Sequence, residues 1–301
     1  MPKPTARQRA ARLAFWRGAV DPEPVDGGIT NTNFLVRQAG ERYFVRIGDD
    51  IPHHGVFRFN ELAASRAAAD CGLSPEVLYT EPGAIVLAFI DGRTLTEADF
   101  QDPETVGKAL ALIGRVHRDV ASAFSGPAVL FWPPKVCADY LAVARSGDRS
   151  HALRAALPRL ETMANALTRQ IGPMQPTLCH NDLLAGNFID DGSRLWLIDW
   201  DYAGFNDALF DLANFASNNQ LGNDQAVALL GAYYGIAPDR ALRRRFAAMA
   251  CFSLLRETLW AAASEIHATL DIDFAAYGQE NLDRLDRAYD TLQRIDNAGD
   301  T

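Results

Sequence analysis

Four cysteines are all this 301-residue chain offers, at positions 71, 137, 179 and 251, with no C-x-x-C pair and no histidine grouped beside them at metal-ligand spacing. Their scarcity excludes a disulfide framework and argues against a zinc site, both of which need clustered thiols or imidazoles. It predicts reduced, buried thiols. Positive charge is also in deficit: 29 lysines and arginines stand against 38 acids, a formal charge of −9. A sequence-independent nucleic-acid binder needs a basic face, so no nucleic-acid partner is expected. Long apolar runs are missing too. The longest, "AIVLAFI" (84–90), has the length of a strand, far short of the about 20 residues that cross a bilayer. The N-terminus "MPKPTARQRAARLAFW" has basic residues but no apolar stretch long enough for a secretory signal. The expectation is a cytoplasmic protein with no membrane partner. There is no internal repeat and no low-complexity segment, and nothing specifies an oligomeric state. With 48% hydrophobic residues the length suits one large domain or two smaller ones.

What the chain has instead is a concentration of acids beside apolar residues. The stretch "CHNDLLAGNFIDDGSRLWLIDWD" (179–201) packs five carboxylates, a histidine and asparagines around two short apolar runs. Part of it reads as a hairpin, because "NFID" and "RLWLIDW" flank "DGS", a strong turn signal that makes Asp190 and Asp191 turn residues. Asp182, Asn187, Asp199 and Asp201 remain, and acids are depleted in strands and costly to bury unpaired. Taken singly each reads as an exposed loop residue; their spacing does not. His180-Asn181-Asp182, four residues, then Asn187 reproduces the H-x-D-x-x-x-x-N catalytic loop of kinase-like phosphotransferases, and a strand ending in Asp199 follows. Magnesium prefers hard oxygen ligands, so one carboxylate and one amide oxygen with ATP phosphates suffice, roles that fit Asp199 and Asn187. Asp182 is placed to accept the attacking hydroxyl, and in a loose transition state its position matters more than its basicity. His180 is expected to brace the loop through a backbone hydrogen bond.

Upstream, an N-terminal helix precedes "PVDGGITNTNFLVRQAGERYFVRIG" (24–48), two strands joined by a turn at "QAGE". The glycines that open this hairpin, Gly28 among them, would let backbone N–H groups approach phosphates, with Thr30 and Asn31 holding the turn or touching the nucleotide. Arg46 lies mid-strand on the face opposite Val45 and Ile47. The helix "RFNELAASRAAADCGL" (58–73) is expected to open at Asn60 and Glu61 and stop at Gly72. Glu61 can then reach back to Arg46, the pair that orients nucleotide phosphates in the protein-kinase template. "SPEVLYTEPGAIVLAFIDGRTL" (74–95) gives two more strands and a hinge, and the backbone of Ala88 to Ile90, Phe89 included, would meet adenine. Beyond about Asp91 the pattern turns helical. His117, in "ETVGKALALIGRVHRDV" (104–120), reads as a packed or capping histidine.

These residues resemble the choline/ethanolamine kinase family, within the wider aminoglycoside-phosphotransferase-like kinases. The resemblance rests on "GGITNTNF", "YFVRI", "FNELAASRAAADCGLSPEVL", "AFIDGRTL", "CHNDLLAGNF", "LWLIDWDYAGFNDALFDLANF" and "LWAAASEIHATLDIDFAAYGQ", spread over residues 27 to 279. It implies a two-lobed, protein-kinase-like α+β fold, with an N-terminal antiparallel sheet and a helix in residues 1–90 and a larger, mostly helical lobe in 91–301. It implies ATP and Mg2+ as cofactors, with Asp182 as base, Asn187 and Asp199 holding magnesium, Arg46 and Glu61 positioning ATP, Asp201 near metal and substrate, and Tyr202 facing the acceptor. The partner is a small-molecule amino alcohol.

Two departures bear on the acceptor. Where eukaryotic choline kinases supply paired tryptophans three apart, Trp260 matches the second and Glu257 stands at the first. Asn218 replaces an acid near the headgroup. Glu257 and Trp260 share a helix face, and an acid beside an aromatic suits a primary ammonium as well as a quaternary one. The alternatives are a kinase of thiamine, an aminoglycoside or a sugar, or a non-catalytic nucleotide-binding regulator. The full set of motif residues speaks against the last, and the lack of an Ala-Pro-Glu segment after the metal strand speaks against a protein kinase.

Overall fold

The computed structural model describes residues 4–25, 31–146, 151–267 and 272–297. Gly28 and Thr30 lie outside these described residues. The alternating apolar pattern near the N-terminus forms one antiparallel sheet of β1 (Glu23–Val25), β2 (Thr32–Gln38), β3 (Glu41–Ile47), β4 (Val77–Glu81) and β5 (Ala84–Ala88), in the order β1-β2-β3-β5-β4. The turn expected at "QAGE" is there: Gln38 opposes Glu41, and Ala39 and Gly40 take φ of 54° and 87°. Two successive positive-φ residues are what a tight hairpin needs to follow the strand twist, and glycine supplies the second without strain.

Strand alternation splits the sheet's side chains by face. Phe34, Val36, Val45, Ile47 and Val86 pack with Ala10 and Leu13 into a small core of their own. Ala10 belongs to α1 (Ala6–Ala11), whose first turn is held reciprocally, Gln8 N donating to Thr5 Oγ1 and Thr5 N to Gln8 Oε1. Phe44, Arg46, Ile85 and Leu87 face the other way, into a cleft.

Helix α2 (Arg58–Asp70) begins two residues before the expected start. Asp50, eight residues upstream, accepts from Arg58 N at 2.8 Å and supplies the cap. Asn60 is therefore no cap. It is buried, its Nδ2 donating to Ala203 O at 2.6 Å and its Oδ1 accepting from Val129 N at 3.1 Å. The helix ends as the sequence expects, with Gly72 at φ +69°. Its apolar residues Ala64, Ala67 and Ala68 join the larger core downstream, not the sheet's.

That larger core gathers α3 (Pro103–Arg115), a π-helical turn (Val116–Val120), α4 (Ala121–Ala123), α5 (Pro133–Ser146), α6 (Leu157–Thr168), α7 (Ala208–Asn218), α8 (Asn223–Tyr234), α9 (Arg240–His267) and α10 (Phe274–Asn297). Two small antiparallel sheets carry the site: β6 (Arg93–Thr94), β8 (Phe188–Asp190) and β9 (Leu195–Leu197) form one, β7 (Pro176–Cys179) and β10 (Gly204–Asp207) the other. The β8–β9 hairpin turns at Asp190 and Asp191 as expected, Asp190 accepting from Gly192 N and Asp191 from Ser193 N and Arg194 N. Helix α9 is long and apolar enough to cross a membrane, yet 89% of its most apolar window is buried inside the molecule, where α5, α7 and α10 pack on it. It is the central core helix. All four cysteines are free, and Cys137, Cys179 and Cys251 are buried.

Candidate active site

A cleft of about 360 Å³ opens between the inner face of the sheet and the β8–β9 hairpin. Ile85, Leu87, Ile189 and Ile198 make its walls apolar, Ala88, Phe89 and Ile90 form its hinge edge, and Asn187 and Asp199 lie at its floor. An apolar slot with backbone groups at one edge and acids at the other suits a nucleotide.

The catalytic loop between β7 and β8 is held from beneath. His180 is fully buried, its Nε2 donating to Ile198 O at 3.0 Å, and burial lowers its pKa. That is the bracing role expected for it. Asn181 takes φ +66°, and its carboxamide donates to Tyr202 O at 3.0 Å while accepting from Asn206 Nδ2 at 2.8 Å. Helix α7 does the rest. Asp211 accepts from His180 N at 2.8 Å and Asn181 N at 2.7 Å, Asn214 accepts from Leu183 N at 2.6 Å, and Asn219, just past the helix, donates to Leu183 O at 2.9 Å. Sequence reading passed over Asp211 and Asn214. Their signal was two polar residues three apart on an otherwise apolar helix, the spacing of one face.

His117 completes this support. Its Nε2 lies 3.0 Å from Asp211 Oδ2 and its Nδ1 2.7 Å from Tyr233 OH, so the tautomer that satisfies both donates to the carboxylate and accepts from the phenol. His117, Cys179 and Asp211 bring ligand atoms within 4.8 Å of one another, a grouping that their separation in sequence concealed. Asp211 is already committed to two backbone N–H groups and the imidazole, so the cluster reads as a structural hydrogen-bond network.

On the nucleotide side, Arg46 and Glu61 pair as the spacing suggested, Nη1 to Oε1 at 2.7 Å, both buried. Arg46 also meets Asp199 at 3.1 Å and Asp201 at 3.2 Å. Burial works against its charge, but Asp199, Glu61 and Asp201 together hold its pKa well above the ordinary arginine value. Burial raises the Glu61 carboxyl against the pull of Arg46. A second guanidinium was missed: Arg58, at the start of α2, binds Glu61 at 2.6 Å and Asp201 at 2.9 Å. Its i,i+3 spacing to Glu61 was the available sign. Asn31 Nδ2 donates to Asp201 Oδ2 at 2.8 Å, tying the start of β2 to the metal strand.

Two arginines thus face three carboxylates, leaving one negative charge in excess. Asp199 is the accessible acid of the three, with 26% of its side chain exposed, and it sits at φ +67°, a strained conformation for a non-glycine residue. Asn187 Nδ2 donates to Asp182 O at 2.7 Å, which fixes the orientation of the amide.

Asp182 opens onto the other side of the loop. Its Oδ1 accepts from Arg256 Nη1 at 3.0 Å. Burial raises its pKa to about 7, with Arg256 opposing and Glu257 and Asp199 adding to the rise. Arg256, on α9, is 2% exposed, stands 4.1 Å from the centre of the Tyr202 ring and pairs with Glu257 at 2.5 Å. Trp260 Nε1 donates to Tyr202 OH at 2.9 Å, and Tyr277 OH to Glu257 Oε2 at 3.0 Å. The structure therefore joins Tyr202, Glu257 and Trp260 to Asp182 as the sequence suggested, through an arginine that the sequence reading did not single out. A charged residue inside "CFSLLRETLW" was its only mark.

Two expectations are corrected. Asp201, expected near metal and substrate, is not an open carboxylate; Arg46, Arg58 and Asn31 engage both its oxygens. Glu257 is not an open carboxylate, since Arg256 and Tyr277 occupy its two oxygens. Asn218 is buried at the end of α7, one turn beyond Asn214, and its amide nitrogen has no hydrogen-bond partner among the described residues.

A sequence profile of the phosphotransferase enzyme family matches residues 21–248, from β1 into α9. The chain belongs to that family. It is an enzyme that transfers a phosphoryl group to an alcohol. This phosphotransferase is 26% identical over 287 residues to protein LicA of Haemophilus influenzae, covering 89% of the chain and 100% of LicA. Among solved structures it resembles a choline/ethanolamine kinase family protein from Mesorhizobium loti, with 28% identity, a TM-score of 0.74 and 96% of each chain covered. Choline kinase LicA from Streptococcus pneumoniae shares the fold at 20% identity, with a TM-score of 0.72 over 88% of this chain and 94% of that one. Glu257, Trp260 and all of α10 lie beyond the family match.

Proposed function

We propose that this phosphotransferase moves the γ-phosphate of ATP, bound with Mg2+, onto the hydroxyl of a small amino alcohol of the choline or ethanolamine kind. The observation that carries the reading is the position of Asp182, between a nucleotide-shaped cleft ending in Asn187 and Asp199 and a cluster of Tyr202, Trp260 and Tyr277. The kinds of protein that the chain is similar to support the same acceptor.

Asp199 and the amide oxygen of Asn187 are hard donors from residues that line one cleft, a set that suits magnesium and not a soft metal. When bound, the ion supplies charge neutralisation on the phosphates. Arg46, oriented by Glu61, holds the phosphates by charge and a planar fork. The apolar walls keep water from the reacting groups. Asp182 orients the acceptor hydroxyl and takes its proton at the oxygen that Arg256 leaves open. ADP release with ATP and Mg2+ across choline, ethanolamine, thiamine, neutral sugars and aminoglycosides tests the proposal. Turnover is expected with an amino alcohol; turnover confined to a sugar or aminoglycoside, or none on any acceptor, overturns it.

A further inference from the structure

The acid that sequence reading offers to a substrate ammonium is already engaged. Glu257 Oε1 accepts from Arg256 Nη1 at 2.5 Å and Oε2 from Tyr277 OH at 3.0 Å, and the residue is 3% exposed. Arg256 Nη1 also donates to Asp182 at 3.0 Å, and the guanidinium stands 4.1 Å from the centre of the Tyr202 ring. Around this pair stand aromatic rings. Trp260 lies 5.8 Å from Phe274 and 5.9 Å from Tyr277, both edge-on, and its indole N–H is spent on Tyr202 OH.

A headgroup entering beside these rings meets π faces. It also meets two carboxyl groups, Asp182 and Glu257, set against one guanidinium. Glu257, buried and hydrogen-bonded at each oxygen, presents no exposed acceptor to it. The free oxygen of Asp182 is needed by the hydroxyl. For a quaternary ammonium this is sufficient, because the cation has no N–H to satisfy and binds by charge and cation–π attraction. A primary ammonium brings three N–H donors, and each one that leaves water unpaired carries a desolvation penalty.

We infer that Arg256 and Tyr277, by occupying both oxygens of Glu257, are specificity-determining residues that turn the acceptor site toward a quaternary-ammonium alcohol and against a primary amine. The inference rests on the reading that the acceptor is an amino alcohol, and its test separates the two. With the full-length protein, ATP and Mg2+, kcat/KM is compared for choline and ethanolamine. The wild type is expected to favour choline by about tenfold or more, the worth of one charged hydrogen bond left unmade. Tyr277→Phe keeps the ring, does not touch Asp182 and releases Glu257 Oε2; it is expected to lower the choline-to-ethanolamine ratio about threefold or more, through a lower KM for ethanolamine. Arg256→Gln is expected to slow both substrates, because Asp182 loses its partner, and to lower the ratio as well. Equal efficiency on the two amines in the wild type, or a ratio unmoved in Tyr277→Phe, overturns the inference and leaves the amino-alcohol reading standing. Failure to phosphorylate either amine overturns both.

Discussion

Asp182 lies where two charge systems meet. Arg256 favours its ionised form, while burial, Glu257 and Asp199 oppose it, and the balance leaves the carboxyl near 7. If the carboxylate is the form that takes the hydroxyl proton, kcat/KM rises with pH through the region around 7. Removing the Arg256 charge removes the main influence that lowers this pKa, so in Arg256→Gln the acid limb of the pH profile is expected to move to higher pH, read from kcat/KM between pH 5 and 9. Asp182→Asn is expected to keep the fold and nucleotide binding while turnover falls by about two to four orders of magnitude, the usual contribution of a positioned acid–base group. Near-normal turnover would remove Asp182 from the mechanism. Asp199→Ala is expected to abolish magnesium-dependent activity, measured as a magnesium titration of ADP release, since the carboxylate proposed to hold the metal is gone. Legibility at this scale follows locality. Asp182, Asn187 and Asp199 share one short stretch, and Arg46 and Glu61 sit on adjacent elements, so their convergence could be read from spacing. Arg256 could not, because a buried cation on an apolar helix declares itself only through the carboxylates that another segment brings to it.

At the scale of elements, the loop bearing Asp182 owes its shape to α7. Asp211→Ala leaves His180 N, Asn181 N and the His117 imidazole without their acceptor. Unpaired buried donors at about 1–3 kcal/mol each predict a loss on the order of 3 kcal/mol or more, visible as a lower midpoint in chemical denaturation and as lost turnover. An unchanged midpoint would show that the loop holds itself. Hairpins were the easiest elements to read, since turn chemistry at Ala39–Gly40 and Asp190–Asp191 is written in adjacent residues. The start of α2 was misread for the opposite reason. Its cap comes from Asp50, beyond the local window, while Asn60, a good capping residue by type, is spent on Ala203 and Val129.

Across the whole molecule there are two apolar cores, a small one under the five-stranded sheet and a large one under everything else. The alternation of strands and then helices was enough to anticipate two lobes. It was not enough to show that α2, which sits in sequence between strands of the small lobe, would pack its alanines into the large one. Tertiary contacts decide that. Asn60→Ala removes the ties of α2 to Ala203 and Val129 and leaves Val129 N and Ala203 O unpaired, so stability is expected to fall by about 2 kcal/mol. Because Glu61 is the next residue, KM for ATP is expected to rise more than KM for the acceptor. The reverse order would mean that α2 does not set the Arg46–Glu61 pair.

In protein kinases the helix that carries the corresponding glutamate is a control lever, and activity is switched by moving it. Here Asn60 fastens that helix to Ala203 and Val129, and Ala64, Ala67 and Ala68 bury it in the large core. An outward swing of α2 would break both Asn60 bonds and expose the three alanines, so moving Glu61 away from Arg46 carries a stability cost here.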